Sequence, residues 1–325
     1  MADAYFFLFF LLPLLLLVIL YFLVKPRPVK IPIKNRHVFI TGGSSGIGLA
    51  LAHRAAAEGA RVSILARSLG KLEEARNAIR LATGIEVAVF AADVRDFEAV
   101  KRAVDEAGPI DVLLLNHGVF VALELEKMEL SEIKFTMDVN LMGTLNLIKA
   151  ALPVMKNRKD PLPASIALVS SQAGQVTFTE NRRKPELTKI IAASSGCMTA
   201  EKVAQKALDG IKSGSFIVSC NLEGIALSLA TAGLSPQRSF LMAFVEVVAA
   251  GILRIVALGM QWTWYGSIEK YHSQRKGKCC TKCYPASPLI CVGMANGVRL
   301  GETILPDWIR EVQPGVAETE SYAPF

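Results

Sequence analysis

A glycine- and serine-rich turn near the start of the chain constrains the fold more than any other segment. Thr41-Gly-Gly-Ser-Ser-Gly-Ile-Gly48 follows a short apolar strand predicted over His37–Ile40 and precedes a helix predicted over Ile47–Glu58. Gly59 is a typical helix stop. Strand, glycine turn and helix in this order predict free backbone N–H groups at the helix start, where an anion can bind.

The turn indicates a dinucleotide site, because glycines let the backbone approach a pyrophosphate closely and Ser44 and Ser45 can add hydroxyl donors. In NAD-binding folds an acidic residue about 20 residues beyond the glycines binds the ribose 2′-hydroxyl. Here that point reads Ala66-Arg67-Ser68, with Lys71 nearby. Cations in place of an acid favour the 2′-phosphate of NADPH; the alternative is that Arg67 is a solvated loop residue.

Further apolar segments alternate with helical patterns. Val112–Leu115 suits a strand that is buried on both faces. Alternating strands and helices predict an α/β fold, a Rossmann-like doubly wound parallel sheet. The sequence also predicts a helix over Thr199–Ile211. Besides the first, the predicted strands are Arg61–Ala66, Glu86–Ala92, Asp111–Leu115, Ser165–Val169 and Phe216–Cys220.

The N-terminus predicts a membrane anchor. Tyr5–Val24 is an uncharged apolar run, and about 20 such residues are needed to cross a bilayer as a helix. The linker at 25–36 is rich in proline and basic residues, which predicts a cytosolic location for the rest of the chain. The alternative is a cleaved signal peptide, but no basic segment precedes the run. The net charge of +7 comes without a long basic run interleaved with aromatics, so no nucleic-acid partner is predicted.

The last third predicts a second membrane contact. Phe240–Gln261 is apolar except for Glu246 and Arg254, which predicts a partly embedded helix with Trp262, Trp264 and Tyr265 as interfacial residues. A full span and a soluble helix packed on the domain are the alternatives, and the region is also a candidate mouth for a long-chain lipid.

The cysteines fall late in the chain, so a reducing compartment is favoured over a disulfide framework. Cys279, Cys280 and Cys283, even with Cys291 and His272, are poorly spaced for zinc, so we predict no metal. Palmitoylation of the cysteines, or no role for them, is the alternative.

Several motifs resemble those of the short-chain dehydrogenase/reductase family. The spacing Thr-Gly-x-x-x-Gly-x-Gly is that family's glycine turn. Asn116-His117-Gly118 is similar to its Asn-Asn-Ala-Gly element, with His117 in the alanine place, either as a catalytic base or, as the tight turn favours, as a structural residue. Asn140 matches the active-site asparagine, and Ser171 the catalytic serine. The resemblance further implies cofactor contacts for Gly42, Ser44, Ser45, Gly46, Gly48, Arg67, Lys71, Asp93 and Asn116.

The anchor and the segment Val169-Ser-Ser-Gln-Ala-Gly174 narrow the resemblance to the 3-ketodihydrosphingosine reductase family, most closely its plant form. That family implies reduction of 3-ketosphinganine to sphinganine with NADPH, in the endoplasmic reticulum membrane. The implied partners are therefore a long-chain sphingoid ketone and the lipid bilayer.

One part of the family's pattern is missing. A Tyr-x-x-x-Lys should follow Ser171 within about a dozen residues, but the next tyrosine is Tyr265. That tyrosine is the family's proton donor, and loss of a general acid costs roughly 10²–10⁴-fold in rate. A further helix and strand are needed to complete such a sheet, and the resemblance implies about 45 additional residues here. An exon-like omission near Phe178–Thr179 explains both absences.

These observations predict five segments. A membrane anchor (1–24) and a linker (25–36) precede a dehydrogenase domain (37–235) whose second half is incomplete. A hydrophobic membrane-associated region (236–270) and a divergent tail (271–325) follow. The predicted function is NADPH-dependent reduction of 3-ketosphinganine. The alternative is a catalytically impaired isoform that at most binds NADPH, alone or as an oligomer with a complete subunit.

Overall fold

The computed structural model describes residues 2–24, 29–121, 127–160, 162–171 and 198–276. The chain divides into two compact units, Met1–Arg275 and Lys276–Phe325. In chain order the elements are α1 (Ala2–Leu23), β1 (His37–Thr41), α2 (Gly46–Ala57), β2 (Arg61–Ala66), α3 (Leu69–Thr83), β3 (Ala88–Ala91), α4 (Phe97–Ala107), β4 (Val112–Leu115), α5 (Leu130–Met137), a π-helix (Asp138–Met142), α6 (Gly143–Lys156), β5 (Ser165–Leu168), α7 (Ala200–Lys212), α8 (Leu222–Ala230) and α9 (Phe240–Lys276).

The five strands form one parallel sheet in the order β3-β2-β1-β4-β5. Val38 in the central strand pairs with Val62 on one side and Val112 on the other. The sequence runs outward from β1 in one direction and then in the other, so the predicted doubly wound α/β sheet is confirmed. Its carboxyl edge at the β1–β4 switch is where such sheets bind ligands.

Helices cover both faces of the sheet, and each face has its own apolar core. Leu51, Leu72 and Leu208, from α2, α3 and α7, are fully buried against one face. Val104 and Leu147, from α4 and α6, are fully buried against the other. Burial on both faces explains why β1 and β4 are continuous apolar runs.

The region after β5 differs from the prediction. The helix predicted over Thr199–Ile211 is confirmed as α7, with Thr199 as its N-cap. The strand predicted over Phe216–Cys220 is wrong, since these residues form no strand. A strand needs a hydrogen-bonded neighbour, and within the described residues the sheet ends at β5. Val218 packs against Gly210 of α7 instead, and Phe216 is 63% exposed.

Two long apolar helices are little covered by the rest of the described chain. In α9, Phe240–Gly259 has a mean hydropathy of 2.3 with 6% of the segment buried, which suits a membrane span by length and composition. In α1, the described apolar segment Phe9–Leu23 is shorter than a full span. The rings of Tyr21 and Phe240 meet edge to face, with centroids 5.4 Å apart, so the end of α1 adjoins the start of α9.

The predicted cysteine cluster at 279–283 and Cys291 lie outside the described residues. Among the residues that the structure describes, no group of three or more His, Cys, Asp or Glu side chains is placed to hold a metal ion.

Candidate cofactor and active site

The glycine turn lies at the carboxyl edge of the sheet, between β1 and α2. Gly42 has a φ of +66° and Gly46 a φ of +56°, a left-handed region that strains other residues. The Gly42 amide donates to the carbonyl of Leu65 at 2.7 Å, which fixes the turn to the end of β2. A side chain on Gly48 would collide with the Gly42 carbonyl, so this glycine lets α2 start directly beneath the turn.

The start of α2 is open toward solvent. Ser45 is the N-cap in an extended conformation, but its side chain makes no capping hydrogen bond to the helix. Ser45 and Gly46 are exposed, and no atom lies within 4 Å of the place where a Gly46 Cβ would stand. The first N–H groups of α2 and the dipole at this end therefore face open space, as a pyrophosphate site requires.

The predicted 2′-phosphate contacts lie next to this turn. Arg67 directly follows β2, and Lys71 is in the first turn of α3, which Ser68 caps by accepting from the Lys71 amide at 3.5 Å. Both cationic side chains are exposed. No acidic residue stands between β2 and Lys71, so the segment that directly follows β2 is positively charged.

Asp93 follows β3 and forms an ion pair with Arg95. Arg95 binds its carboxylate with three contacts of 2.7–3.1 Å. Hydrogen bonding by the Arg95 guanidinium is the main reason that the pKa of Asp93 lies below its ordinary value, with a smaller contribution from Arg67. Asp93 thus lies in the field of Arg67 beside the predicted adenosine side of the site.

The Thr41 hydroxyl joins the turn to the end of β4. Its oxygen accepts from the amides of Asn116 and His117 at 3.0 and 3.3 Å. The Asn116 side chain donates to the Gly42 carbonyl at 3.5 Å. Sequence reasoning gave Thr41 no role, although it begins the motif. A hydroxyl at the end of a buried strand is a signal that could have identified it.

Asn140 lies in the π-helix, which sequence reasoning missed because no residue pattern marks the extra residue of such a turn. Its side chain forms two hydrogen bonds with the backbone of Val119. Oδ1 accepts from the Val119 amide and Nδ2 donates to the Val119 carbonyl, both at 2.8 Å. The Asn140 side chain therefore clamps the loop that follows β4.

Ser171 lies three residues beyond β5 and is exposed. The Val169 amide still donates to the Leu115 carbonyl at 2.9 Å, so this segment continues along β4 toward the carboxyl edge. The sheet thus brings Ser171 to the same edge as Asn116 and the glycine turn. Gly174 and the Phe178–Thr179 junction lie outside the described residues.

Both ring nitrogens of His117 have neighbours inside the protein. Nδ1 lies 2.7 Å from Thr41 Oγ1, and Nε2 lies 3.4 Å from Thr144 Oγ1. Burial lowers the pKa of His117, and a hydrogen bond to the Val139 carbonyl partly opposes this. A half-buried imidazole with both nitrogens engaged favours the structural interpretation over the catalytic base.

Comparison with known proteins identifies the family of the chain. Residues 36–182 match the short chain dehydrogenase family. The chain is 57% identical to 3-dehydrosphinganine reductase TSC10A of Arabidopsis thaliana, over 77% of this chain and 90% of that protein. The chain belongs to the 3-dehydrosphinganine reductase family. It is also 51% identical to TSC10B of the same plant, over 85% and 97% of the two chains, and 28% identical to 3-dehydrosphinganine reductase of Danio rerio, over 73% and 86%.

The alignment with TSC10A also shows that this member of the reductase family is shorter in the matched region. The alignment spans 294 positions but includes only 77% of the 325 residues of this chain, which is about 250 residues. About 44 aligned positions of the relative therefore have no counterpart in this chain. The predicted omission of about 45 residues is close to this difference.

Proposed function

We propose that this chain binds NADPH at the carboxyl edge of its sheet and that its reaction is the reduction of 3-ketosphinganine to sphinganine. The observation that carries the binding is the open, uncapped start of α2 beside Gly46, with Arg67 and Lys71 at the adjoining end of β2. The activity named for the plant relatives, 3-dehydrosphinganine reductase, supports the substrate.

Each part of the site has a proposed role. Gly42, Gly46 and Gly48 let the backbone approach the pyrophosphate, and Ser44 and Ser45 add hydroxyl donors. Arg67 and Lys71 bind the 2′-phosphate, while Asp93 and Asn116 line the adenosine and ribose side. NADPH would supply the hydride for carbonyl reduction. Ser171 would donate a hydrogen bond to the carbonyl oxygen, and Asn140 keeps the loop after β4 in place.

A second candidate function is a catalytically impaired form that binds NADPH without efficient turnover, alone or together with a complete subunit. The specific observation is that no tyrosine lies between Ser171 and Tyr265. Among the described residues that directly precede Ser171, 162–170, no side chain is acidic or a tyrosine. Loss of such an acid costs roughly 10²–10⁴-fold in rate, while the phosphate contacts are unaffected.

Membrane association through α1 and α9 is part of the proposal. Large apolar side chains on both helices are exposed, such as Phe9 at 74% and Ile255 at 71%. In water this exposure would be costly, whereas a bilayer interior accepts it. We propose residence in the endoplasmic reticulum membrane with the sheet on the cytosolic side, and we propose the segment limits 1–24, 25–36, 37–235, 236–270 and 271–325.

Binding and turnover of the full chain in detergent micelles test the proposal. We expect NADPH to bind more tightly than NADH, because only NADPH carries the 2′-phosphate. Arg67→Ala should weaken NADPH binding roughly 10-fold or more, since a charge-assisted hydrogen bond contributes about 1.5–3 kcal/mol, and should leave NADH binding unchanged. Arg102→Ala, an exposed arginine on α4, is the matched control. Equal loss for both dinucleotides, or no loss, would contradict the assignment of Arg67.

NADPH oxidation with 3-ketosphinganine then separates the two candidates, with TSC10A as the reference enzyme. A rate within about tenfold of the reference supports the reductase, because loss of the general acid alone predicts a larger deficit. Binding of NADPH with a rate at least a hundredfold lower supports the impaired form. Absence of NADPH binding refutes both.

A further inference from the structure

His117 occupies a junction that neither the cofactor contacts nor the catalytic assignments use. On one side lies Thr41, the last residue of β1 before the glycine turn. On the other side lies the π-helix that carries Asn140. The imidazole is half-buried between these two parts of the site.

The contacts on the Thr41 side require an acceptor at Nδ1. Thr41 Oγ1 already accepts from the amides of Asn116 and His117. Its own proton has two candidate acceptors, the Leu114 carbonyl at 3.4 Å and His117 Nδ1 at 2.7 Å. The shorter contact is much the stronger one, so the hydroxyl donates to Nδ1.

The contacts on the helix side require a donor at Nε2. His117 Nε2 lies 3.4 Å from Thr144 Oγ1, and Thr144 donates its own hydroxyl proton to the Asn140 carbonyl at 2.8 Å. The Thr144 oxygen can therefore only accept from Nε2, and Nδ1 is already an acceptor, so the neutral tautomer with a proton on Nε2 satisfies both sides. Gly143 leaves room for this approach, because a Cβ there would lie 3.3 Å from Nε2.

We propose that His117 is a positioning residue that locks Asn140 to the glycine turn by bridging the hydroxyls of Thr41 and Thr144 with one neutral imidazole. The bridge runs from the Thr41 hydroxyl through the ring to Thr144, which donates to the Asn140 carbonyl at 2.8 Å. The Asn140 side chain extends it to both backbone groups of Val119. The role in cofactor binding rests on the proposed function; the bridge itself does not.

Three variants in the full chain test the bridge. His117→Ala removes both hydrogen bonds. His117→Gln keeps an acceptor and a donor on one planar group, and therefore can restore the bridge. His53→Ala, on α2, is the control. Hydrogen exchange at the Val119 amide should be roughly tenfold faster in His117→Ala than in the wild type, since a lost hydrogen bond of about this strength changes an opening equilibrium by that factor. The glutamine variant should return toward the wild-type rate, and exchange in β2 should not change.

The tautomer of the wild-type ring is an independent readout. With ¹⁵N-labelled histidine, and His117 assigned from the glutamine variant, the spectrum should show a protonated Nε2 and an unprotonated Nδ1. A protonated Nδ1 overturns the proposal even if His117→Ala does not fold. Wild-type exchange at Val119 in His117→Ala, or equally fast exchange in the alanine and glutamine variants, also overturns it.

NADPH affinity separates this inference from the proposed function. We expect a loss of about three- to tenfold in His117→Ala and recovery in His117→Gln, because each lost hydrogen bond loosens the turn that holds the pyrophosphate. If the wild type binds no NADPH, the proposed function fails, while Val119 exchange and the tautomer still decide the bridge. If NADPH binds but the alanine variant binds it as well as the wild type does, the coupling to the turn is refuted.

Discussion

Substitution of Leu208 by alanine tests whether the chain after residue 198 folds as part of the dehydrogenase domain. Leu208 lies in the middle of α7 and is fully buried. It belongs to the same core as Leu51, Ala52 and Ala55 of α2. Since α7 comes after the segment where the family pattern is interrupted, this packing shows that the interruption does not detach the second half of the chain.

The magnitude follows from the side chain that is removed. Leu208→Ala deletes three carbon atoms, and burial stabilises by about 0.8 kcal/mol for each methylene, which gives about 2.4 kcal/mol. A cavity term adds to this wherever the neighbours do not collapse, so such substitutions cost about 2.7–5 kcal/mol. Leu51 and Ala55 lie on a helix that packs against the sheet, so the neighbours of Leu208 have little freedom to fill the cavity. We therefore expect Leu208→Ala to lower the free energy of unfolding by roughly 3 kcal/mol or more.

Urea unfolding in micelles, followed by circular dichroism, measures this loss. Leu222→Ala is the matched control, because Leu222 is 81% exposed at the start of α8 and should cost less than about 0.5 kcal/mol. If the two variants unfold within about 0.5 kcal/mol of each other, α7 is not part of the cooperative core. The reasoning about the second half of the chain would then be refuted.

Two further perturbations test the turn and the start of β1. The pKa of His37 is lowered from 6.5 to about 4 because burial disfavours its charged form. Between these values the unfolded chain binds a proton that the folded chain does not, so stability is full above pH 6.5 and falls by about 3 kcal/mol toward pH 4. Urea unfolding across this pH range should show the loss, and His37→Gln should lack it; equal slopes in both proteins would contradict the assignment. Gly48→Ala should cost about 1–3 kcal/mol of stability and weaken NADPH binding, because the new methyl group meets the Gly42 carbonyl and Asn116 Nδ2. Calorimetric titration measures the NADPH affinity of Gly48→Ala and of the control Gly70→Ala, whose new methyl group has no atom within 4 Å. Equal affinities would refute the steric argument.

The interruption of the family pattern has a visible structural consequence. The segment Phe216–Cys220 has a strand-like composition, but among the described residues no strand lies beside it with which to pair. Leu168 lies in β5, which is the last strand of the sheet among the described residues, and is 59% exposed. Composition therefore predicted the wrong conformation here, because strand formation depends on a partner elsewhere in the chain.

Local patterns were sufficient for much of the fold. The alternation of apolar strands with amphipathic helices predicted the parallel sheet, and the glycine turn predicted which strand–helix junction is open to a ligand. Those signals are local: Gly42 and Gly46 need a positive φ, and Gly48 needs space beneath the turn. The limits of α7 were also predicted to within one residue, because Thr199 is a typical N-cap.

Other features depend on residues that are far apart in the sequence. The sequence by itself determined the doubly wound fold, the glycine turn, the cations at Arg67 and Lys71 and the absence of a Tyr-x-x-x-Lys after Ser171. Only the tertiary structure decided that the Thr41 hydroxyl accepts hydrogen bonds from the amides of Asn116 and His117. It also decided that Asn140 clamps Val119, and that the His117 ring lies between Thr41 and the helix that carries Asn140. The physical reason is that these hydrogen bonds form between strand ends and a π-turn brought together by the sheet, and no spacing along the chain encodes that distance.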